Sequence, residues 1–413
     1  MGEHRLKRTG RWVADRAVAA ALFLALPILL AAPAALGGGA AADRLEVAIG
    51  RALFERAWVP APSSTRANDG LGPLFNARAC VACHGGLERH AVAAPEGEGR
   101  VAASALLRLS DAEGGPDPVY GRQLQTAAVP GFTPEGRLLL AEDGKTVIAA
   151  DLAAGAFAAM TRSGLRVAPG LRGLGLLAAV PAEAIRAGAD PGDADGDGVE
   201  GRVHELPDGS IGRFGWKASS ATLADQIAIA FSLDLGMGTA ERPAPAGDCT
   251  PAEPACIAGP HGGTAAEPEI LPEIVTMLAQ YLAAVPPAKP AGPAAGGGLF
   301  AETGCAACHR PTLAAADGRP VPAFTDLLLH DMGPGLDGGA TEPGVAPTEW
   351  RTAPLWGLAG ALAAGAGLLH DGRAADVAAA IGWHGGEAAG SRDRFSALSP
   401  QDRARLLDYV SGL

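Results

Sequence analysis

The 413-residue sequence predicts a mainly α-helical chain of two tandem lobes, and three observations carry that prediction. The pentapeptide Cys80-Val81-Ala82-Cys83-His84 returns as Cys305-Ala306-Ala307-Cys308-His309. Each copy is flanked by stretches whose apolar residues recur at helical spacing. Between the copies, Pro286 to Gly298 is so rich in proline and glycine that neither a helix nor a strand interior accommodates it. The pattern C-x-x-C-H is the attachment signature of c-type haem. On a helical turn, residues three and four apart share a face, so both thiols reach the vinyl groups while the adjacent imidazole meets the iron. A zinc tetrahedron would need a second Cys or His pair, and neither copy has one nearby. The expectation is two covalently attached haem c groups, one on Cys80 and Cys83, the other on Cys305 and Cys308. His84 and His309 are the expected iron ligands.

Taken in order, the chain opens with Arg5, Lys7, Arg8 and Arg11, an apolar run from Ala17 to Leu36, and small residues to Ala42. Residues 1–42 therefore read as a secretory signal that is removed, or as an N-terminal inner-membrane anchor where it stays uncleaved. Export to the periplasm agrees with the haems, whose thioether attachment is completed outside the cytoplasm. A helix is expected from Asp43, where Leu45, Ala48, Ile49, Leu53 and Phe54 share a stripe; Pro60 ends it. The loop Gly70-Leu71-Gly72-Pro73 leads to the first motif. Residues 90–190 mix turn residues with β-like runs at Leu138–Leu140 and Val147-Ile148, which reads as a loop-rich insertion with short strands inside the first lobe. A helix over Ile270–Leu282 carries Ile270, Ile274, Met277, Leu278 and Tyr281 on one face, and Pro286 stops it. The N-terminal lobe thus spans 43–285, the linker 286–298 and the C-terminal lobe 299–413. The last lobe closes on a helix with Ser399 as N-cap, Pro400 at its first position, and Leu406, Leu407 and Val410 facing inward. Helices around a C-x-x-C-H describe a cytochrome c-like lobe.

Composition narrows the partners. The formal charge is −12, and an acidic surface argues against nucleic acid while suiting a basic redox protein as electron donor or acceptor. Membrane contact is expected only through an uncleaved leader. The two remaining cysteines, Cys249 and Cys256, lie in a Pro-rich loop; they form a small disulfide or, alternatively, serve as catalytic thiols.

The stretch Gly212-Arg213-Phe214-Gly215-Trp216-Lys217-Ala218, followed by Leu223 and Gln226, resembles the segment between the haems of bacterial di-haem cytochrome c peroxidases and their MauG-type relatives. The resemblance implies that Trp216 bridges the haems and that Gln226, ten residues on, lines a peroxide pocket. In the same superfamily a His-Asp-Gly precedes the sixth ligand of the C-terminal haem by fourteen residues. Here His370-Asp371-Gly372 leads to His384 at that interval, so the resemblance makes His370 a cofactor-pocket residue and His384 the second axial ligand opposite His309. The segments around Leu327–Gly335, Glu349-Trp350-Arg351 and Trp383–Ala388 resemble the di-haem c-type oxidoreductase branch whose members carry thiol-oxidoreductase and peroxidase labels.

Two departures qualify what that resemblance implies. Peroxidases of the superfamily place a glutamate ten residues after the pocket glutamine; Gly236 stands there, and Asp234 is the carboxylate near enough to substitute. The usual sixth ligand is methionine, and histidine in its place lowers the haem potential. Among other histidines, His90 could swing onto the first iron or sit exposed, His330 and Met332 rival His384, and His204 and His261 read as surface or loop residues. Asp193, Asp195 and Asp197, with Gly198 following, resemble the start of an EF-hand loop and are candidate calcium ligands, although His204 at the twelfth position departs from that pattern. The functional expectation is an exported, peroxidase-like oxidoreductase. Peroxide or another small oxidant reacts at the N-terminal haem, and electrons pass through the C-terminal one. The alternatives are an electron-transfer protein without turnover, and a thiol oxidase working through Cys249 and Cys256.

Overall fold

A computed structural model describes residues 38–94, 99–143, 146–292 and 295–413. The apolar run of the leader lies outside them, and no helix among the described residues is long and apolar enough to cross a membrane. The described residues form twelve α-helices and ten short strands, and every strand belongs to a two-stranded antiparallel pair. The helix-rich character matches the expectation. Residues 43–413 pack as one compact unit.

The first helix runs Gly38–Glu55. Leu53 and Phe54 are buried, but Leu45 and Ile49 are exposed, so only the C-terminal end of the expected stripe enters the core. Phe54 packs on Tyr281 of the helix Pro272–Ala284, with ring centroids 5.5 Å apart. That helix starts two residues later than its apolar spacing suggests, because Pro272 occupies its first turn while fully buried Ile270 precedes it in an isolated bridge to Thr239. It ends at Ala284 because Pro286 restricts Val285 to an extended conformation. The helix Leu223–Asp234 packs beside it and begins in a capping box, Thr222 accepting from the Asp225 amide and Asp225 from the Thr222 amide. Trp58 and Phe231 meet edge to face at 5.8 Å beneath it. Together these elements form the larger apolar cluster, which also receives Val321, Leu327 and Leu328 from beyond the second motif.

The second cluster gathers Phe300, Leu368, Val377, Phe395, Leu406 and Val410. Its closing helix is Pro400–Ser411, with the Ser399 hydroxyl accepting from the Asp402 amide at 3.1 Å. Leu406 and Val410 face inward as expected, with Leu407 half-buried.

Both expected strand runs in 90–190 are present, as Arg137–Leu140 paired with Val147–Ala150. The longest pair, Ala105–Ser110 with Arg162–Val167, was not legible in the sequence. Gly164 interrupts its second strand, and the reason is a close approach: a Cβ there would strike the Gly338 carbonyl. This second strand matters for the site, since Arg166 and Val167 end it at the wall of the main cavity.

Candidate active site

The first motif forms a single helical turn, Cys80–Cys83, and the His84 amide closes it on the Cys80 carbonyl at 3.0 Å. The His84 Nδ1 lies 3.1 Å from the Pro169 carbonyl. A carbonyl only accepts, so Nδ1 carries the proton and Nε2 keeps its lone pair. Burial pushes this imidazole down to about 4, which leaves it neutral at physiological pH. The second motif repeats the arrangement on a tighter 3-10 turn, Cys305–Ala307: the His309 amide donates to Cys305, and its Nδ1 to the Phe324 carbonyl at 3.0 Å. Burial, with His384 close by, pushes His309 down to about 4. His384 itself caps the helix Val377–Trp383 and donates from Nδ1 to the Ala380 carbonyl at 2.7 Å; burial lowers it as well.

All three histidines, with Cys80, Cys305 and Cys308, line one cavity of about 740 Å³. Its donor set fits c-type haem. Each motif sets paired thiols beside an imidazole locked, by a backbone carbonyl, in the tautomer that offers Nε2 to iron. Burial of the sulfur pushes the Cys80 thiol up to about 12, with Asp234 adding to the rise, so the half-buried side chain stays a thiol rather than a reactive thiolate.

Trp216, Gln226 and Asp234 line the same cavity. The Trp216 indole donates to the Val167 carbonyl at 3.0 Å, two residues before the carbonyl that holds His84. Its own carbonyl accepts from the Arg351 amide at 3.1 Å. Arg351 continues into Thr352, whose carbonyl binds the Thr325 hydroxyl at 2.6 Å, next to the carbonyl that holds His309. Trp216 is thus tied to the frames of both motifs. On the helix Leu223–Asp234, Gln226 Oε1 accepts from the Ser220 hydroxyl at 3.3 Å. At the helix end, Asp234 accepts from Gln123 at 2.7 Å, and burial raises its carboxyl, with Gln123 and Arg108 opposing. Gly236 has no room for a side chain: its φ is +68°, and a Cβ would lie 2.5 Å from the Leu74 carbonyl oxygen.

Of the other residues the sequence singled out, Cys249, Cys256 and His370 are placed as expected, and others sit differently. His330 is no rival ligand, because both ring nitrogens are engaged, Nε2 with Asp326 at 2.9 Å and Nδ1 with Glu387 at 2.6 Å. His90 points its Nε2 at the Gly85 carbonyl at 2.7 Å. His204, read as a surface residue, is buried and lines the cavity; its Nδ1 donates to the Lys217 and Ala218 carbonyls at 2.9 and 3.0 Å, the pattern shared by the other three. The turn residues Pro207-Asp208-Gly209 were the signal that could have found it, since they fold His204 back until its carbonyl meets the Gly212 amide. His370 is buried and stacked on Trp350, centroids 3.7 Å apart. Burial and the surrounding Arg166, Arg373, Lys217 and Arg89 push its pKa far down, so it is neutral. In the acidic loop, the carboxylates that converge within 4.8 Å are those of Asp190, Asp193 and Asp195; Asp190 was missed and Asp197 stands outside the group. Cys249 and Cys256 form a disulfide and do not border the cavity.

Residues 141–413 match the family model described as "Di-haem oxidoreductase, putative peroxidase". Among solved structures, the chain is similar to the hydrazine synthase of Kuenenia stuttgartiensis pressurised with 20 bar xenon, at 20% identity over 36% of this chain and 57% of that one, with a TM-score of 0.25. No curated protein matches.

Proposed function

The chain belongs to the di-haem oxidoreductase family, and from that premise we propose that it is an exported, peroxidase-like di-haem c-type oxidoreductase built on two tandem cytochrome c-like lobes. The observation that carries the reading is the repeated geometry of His84, His309 and His384, each with Nδ1 on a backbone carbonyl and all lining one cavity beside the paired cysteines. Cys80, Cys83 and His84 would hold the first haem; Cys305, Cys308, His309 and His384 the second. Bound there, the haem pair would supply the redox chemistry for two-electron reduction of a peroxide O–O bond, with the electrons replaced by a donor protein.

The remaining work falls to this chain's own groups. Gln226 has its carbonyl oxygen engaged by Ser220, so its amide N–H groups are the donors that orient an oxidant. Asp234, whose carboxyl burial holds in the protonated form more readily than in water, is the group that delivers a proton to the departing oxygen. Trp216, bonded to the frames of both motifs, is the conduit between the two sites. A small redox protein of opposite charge is the partner proposed to exchange electrons at the C-terminal lobe, and the calcium expected at the acidic loop is proposed on Asp190, Asp193 and Asp195, with Asp190 in place of Asp197.

His204 favours one competing reading. An imidazole of the same tautomer facing the cavity could complete the first iron's coordination, making the protein an electron carrier with both irons six-coordinate. The ferric spectrum separates the two. A high-spin signal that shifts on adding peroxide is the enzyme's result; two low-spin haems inert to peroxide, with high spin appearing in His204→Ala, is the carrier's.

A further inference from the structure

Four cations line the cavity without an anionic partner. Arg89, Arg166, Lys217 and Arg351 are each at least nine-tenths buried. Their hydrogen bonds run to backbone carbonyls. Arg89 donates to Gly367 at 2.6 Å and to Leu369; Arg166 to Gly338 at 2.9 Å and Ala340 at 2.6 Å; Lys217 to Ala346 and Pro347 at 3.0 Å; Arg351 to Gly215 and Thr352 at 2.9 Å. Among the described residues none pairs with a carboxylate, and the acidic groups that act on them are already engaged elsewhere. Asp371 binds Arg373 at 2.6 Å, Glu342 binds Arg108 at 3.1 Å, and Glu349 binds Arg202 at 2.5 Å.

Taking a cation out of water costs several kcal/mol, and carbonyl dipoles leave its net charge uncompensated. The four are also grouped. Lys217 Nζ lies 3.6 Å and Arg166 Cζ 4.7 Å from the Trp350 ring centroid, and Arg89 Cζ 5.4 Å from that of Trp216. Two of them sit on the segments that run into the carbonyls holding the two motif histidines: Arg166 three residues before Pro169, and Arg351 bonded beside Thr325 through Thr352. A carboxylate resident at this wall of the cavity offsets that cost, and each haem brings two in its propionates.

We propose that Arg89, Arg166, Lys217 and Arg351 are the propionate-binding cations of the haem pair, an assignment that rests on the di-haem reading above. It also accounts for the depressed pKa values: burial pushes Lys217 down to about 6 and each of Arg89, Arg166 and Arg351 to about 10, the penalty that a bound carboxylate removes.

The test uses the full-length exported protein with Lys217→Gln, Arg89→Gln, Arg166→Gln and Arg351→Gln. Each is compared with a charge-retaining partner, Lys217→Arg or Arg→Lys. Intact mass counts the haems, resonance Raman reads the propionate-bending bands, and spectroelectrochemical titration reads both potentials. Losing a cation leaves a propionate charge uncompensated beside the iron, which favours the ferric state. The expected result is shifted bending bands, a lowered potential for at least one haem, and a new dependence of that potential on pH; the charge-retaining variants keep the wild-type values. Loss of haem in a Gln variant with full retention in its charged counterpart also supports the assignment. Two haems with unmoved bands and potentials in the Gln variants overturn it, as does equal haem loss in both sets. A wild-type mass with fewer than two haems overturns the di-haem reading instead.

Discussion

Restoring the glutamate of the related peroxidases at position 236 should fail, and the structure gives the size of the failure. Gly236 has φ +68°, a conformation that costs an L side chain roughly 1–2 kcal/mol. A Cβ there would sit 2.5 Å from the Leu74 carbonyl oxygen and 3.2 Å from the Gly72 Cα. Those are backbone atoms, one of them in the strand pair Leu74–Phe75 with Ala127–Ala128, so relief needs a main-chain shift of the kind that costs about 1–3 kcal/mol. Gly236→Glu should therefore lose about 2–5 kcal/mol, the sum of these two terms, and Gly236→Ala, which carries the same strain without the carboxylate, should lose nearly as much. The assay is a urea titration of holoprotein with haem content checked by mass, alongside peroxide turnover. If Gly236→Glu keeps the wild-type midpoint and turns over peroxide faster, the steric reasoning fails, and with it the assignment of proton delivery to Asp234.

Other outcomes can be set beside it. The mature protein should exceed its chain mass by two haems, and Cys80→Ala with Cys83→Ala should leave one, read by intact mass. His384→Met should raise the potential of the second haem and His384→Ala should make it high-spin; titration and electron paramagnetic resonance check both. Trp216→Leu should leave both spectra unchanged while slowing oxidation of the second haem in stopped-flow mixing with peroxide. His330→Ala should cost about 3–5 kcal/mol, chiefly by leaving the buried Asp326 carboxylate without its charged partner, while half-buried Glu387 keeps the Glu200, Gly201 and Asp331 amides. Burial opposes charge on His330, but hydrogen bonds to Asp326, Cys308 and Glu387 raise it to about 12. Its stabilisation is complete below the unfolded value and falls as pH rises toward the folded one, so the cost should be larger at about pH 6 than at about pH 9 in paired urea titrations.

How much of this was legible in the sequence depends on which atoms do the work. The C-x-x-C-H pattern is carried by side chains at fixed spacing, so Cys80, Cys83, His84 and their second copy could be picked out directly. Helix ends marked by proline or a capping hydroxyl were likewise legible, as at Pro400 and Val285. What could not be read is work done by main chain. Pro169, Phe324 and Ala380 hold His84, His309 and His384 through carbonyls, and every residue type offers a carbonyl. Nor could the exposure of Leu45 and Ile49 be decided by periodicity alone, since their stripe outruns the surface that covers it.

The same distinction explains why the charges of the cavity wall could not be read as buried. The segments holding Lys217 and Arg351 stood out by resemblance and that of Arg166 did not, but in each a charged side chain is usually a solvated one. Only burial separates the two cases, and burial here comes from elements far apart in the chain: Gly338 and Ala340 close over Arg166, Gly367 and Leu369 over Arg89. A chain that folded first around those cations would carry their desolvation cost alone. On the proposed assignment, propionates present while the wall closes would offset that cost, so haem acquired before the two apolar clusters meet would be the least costly order of assembly.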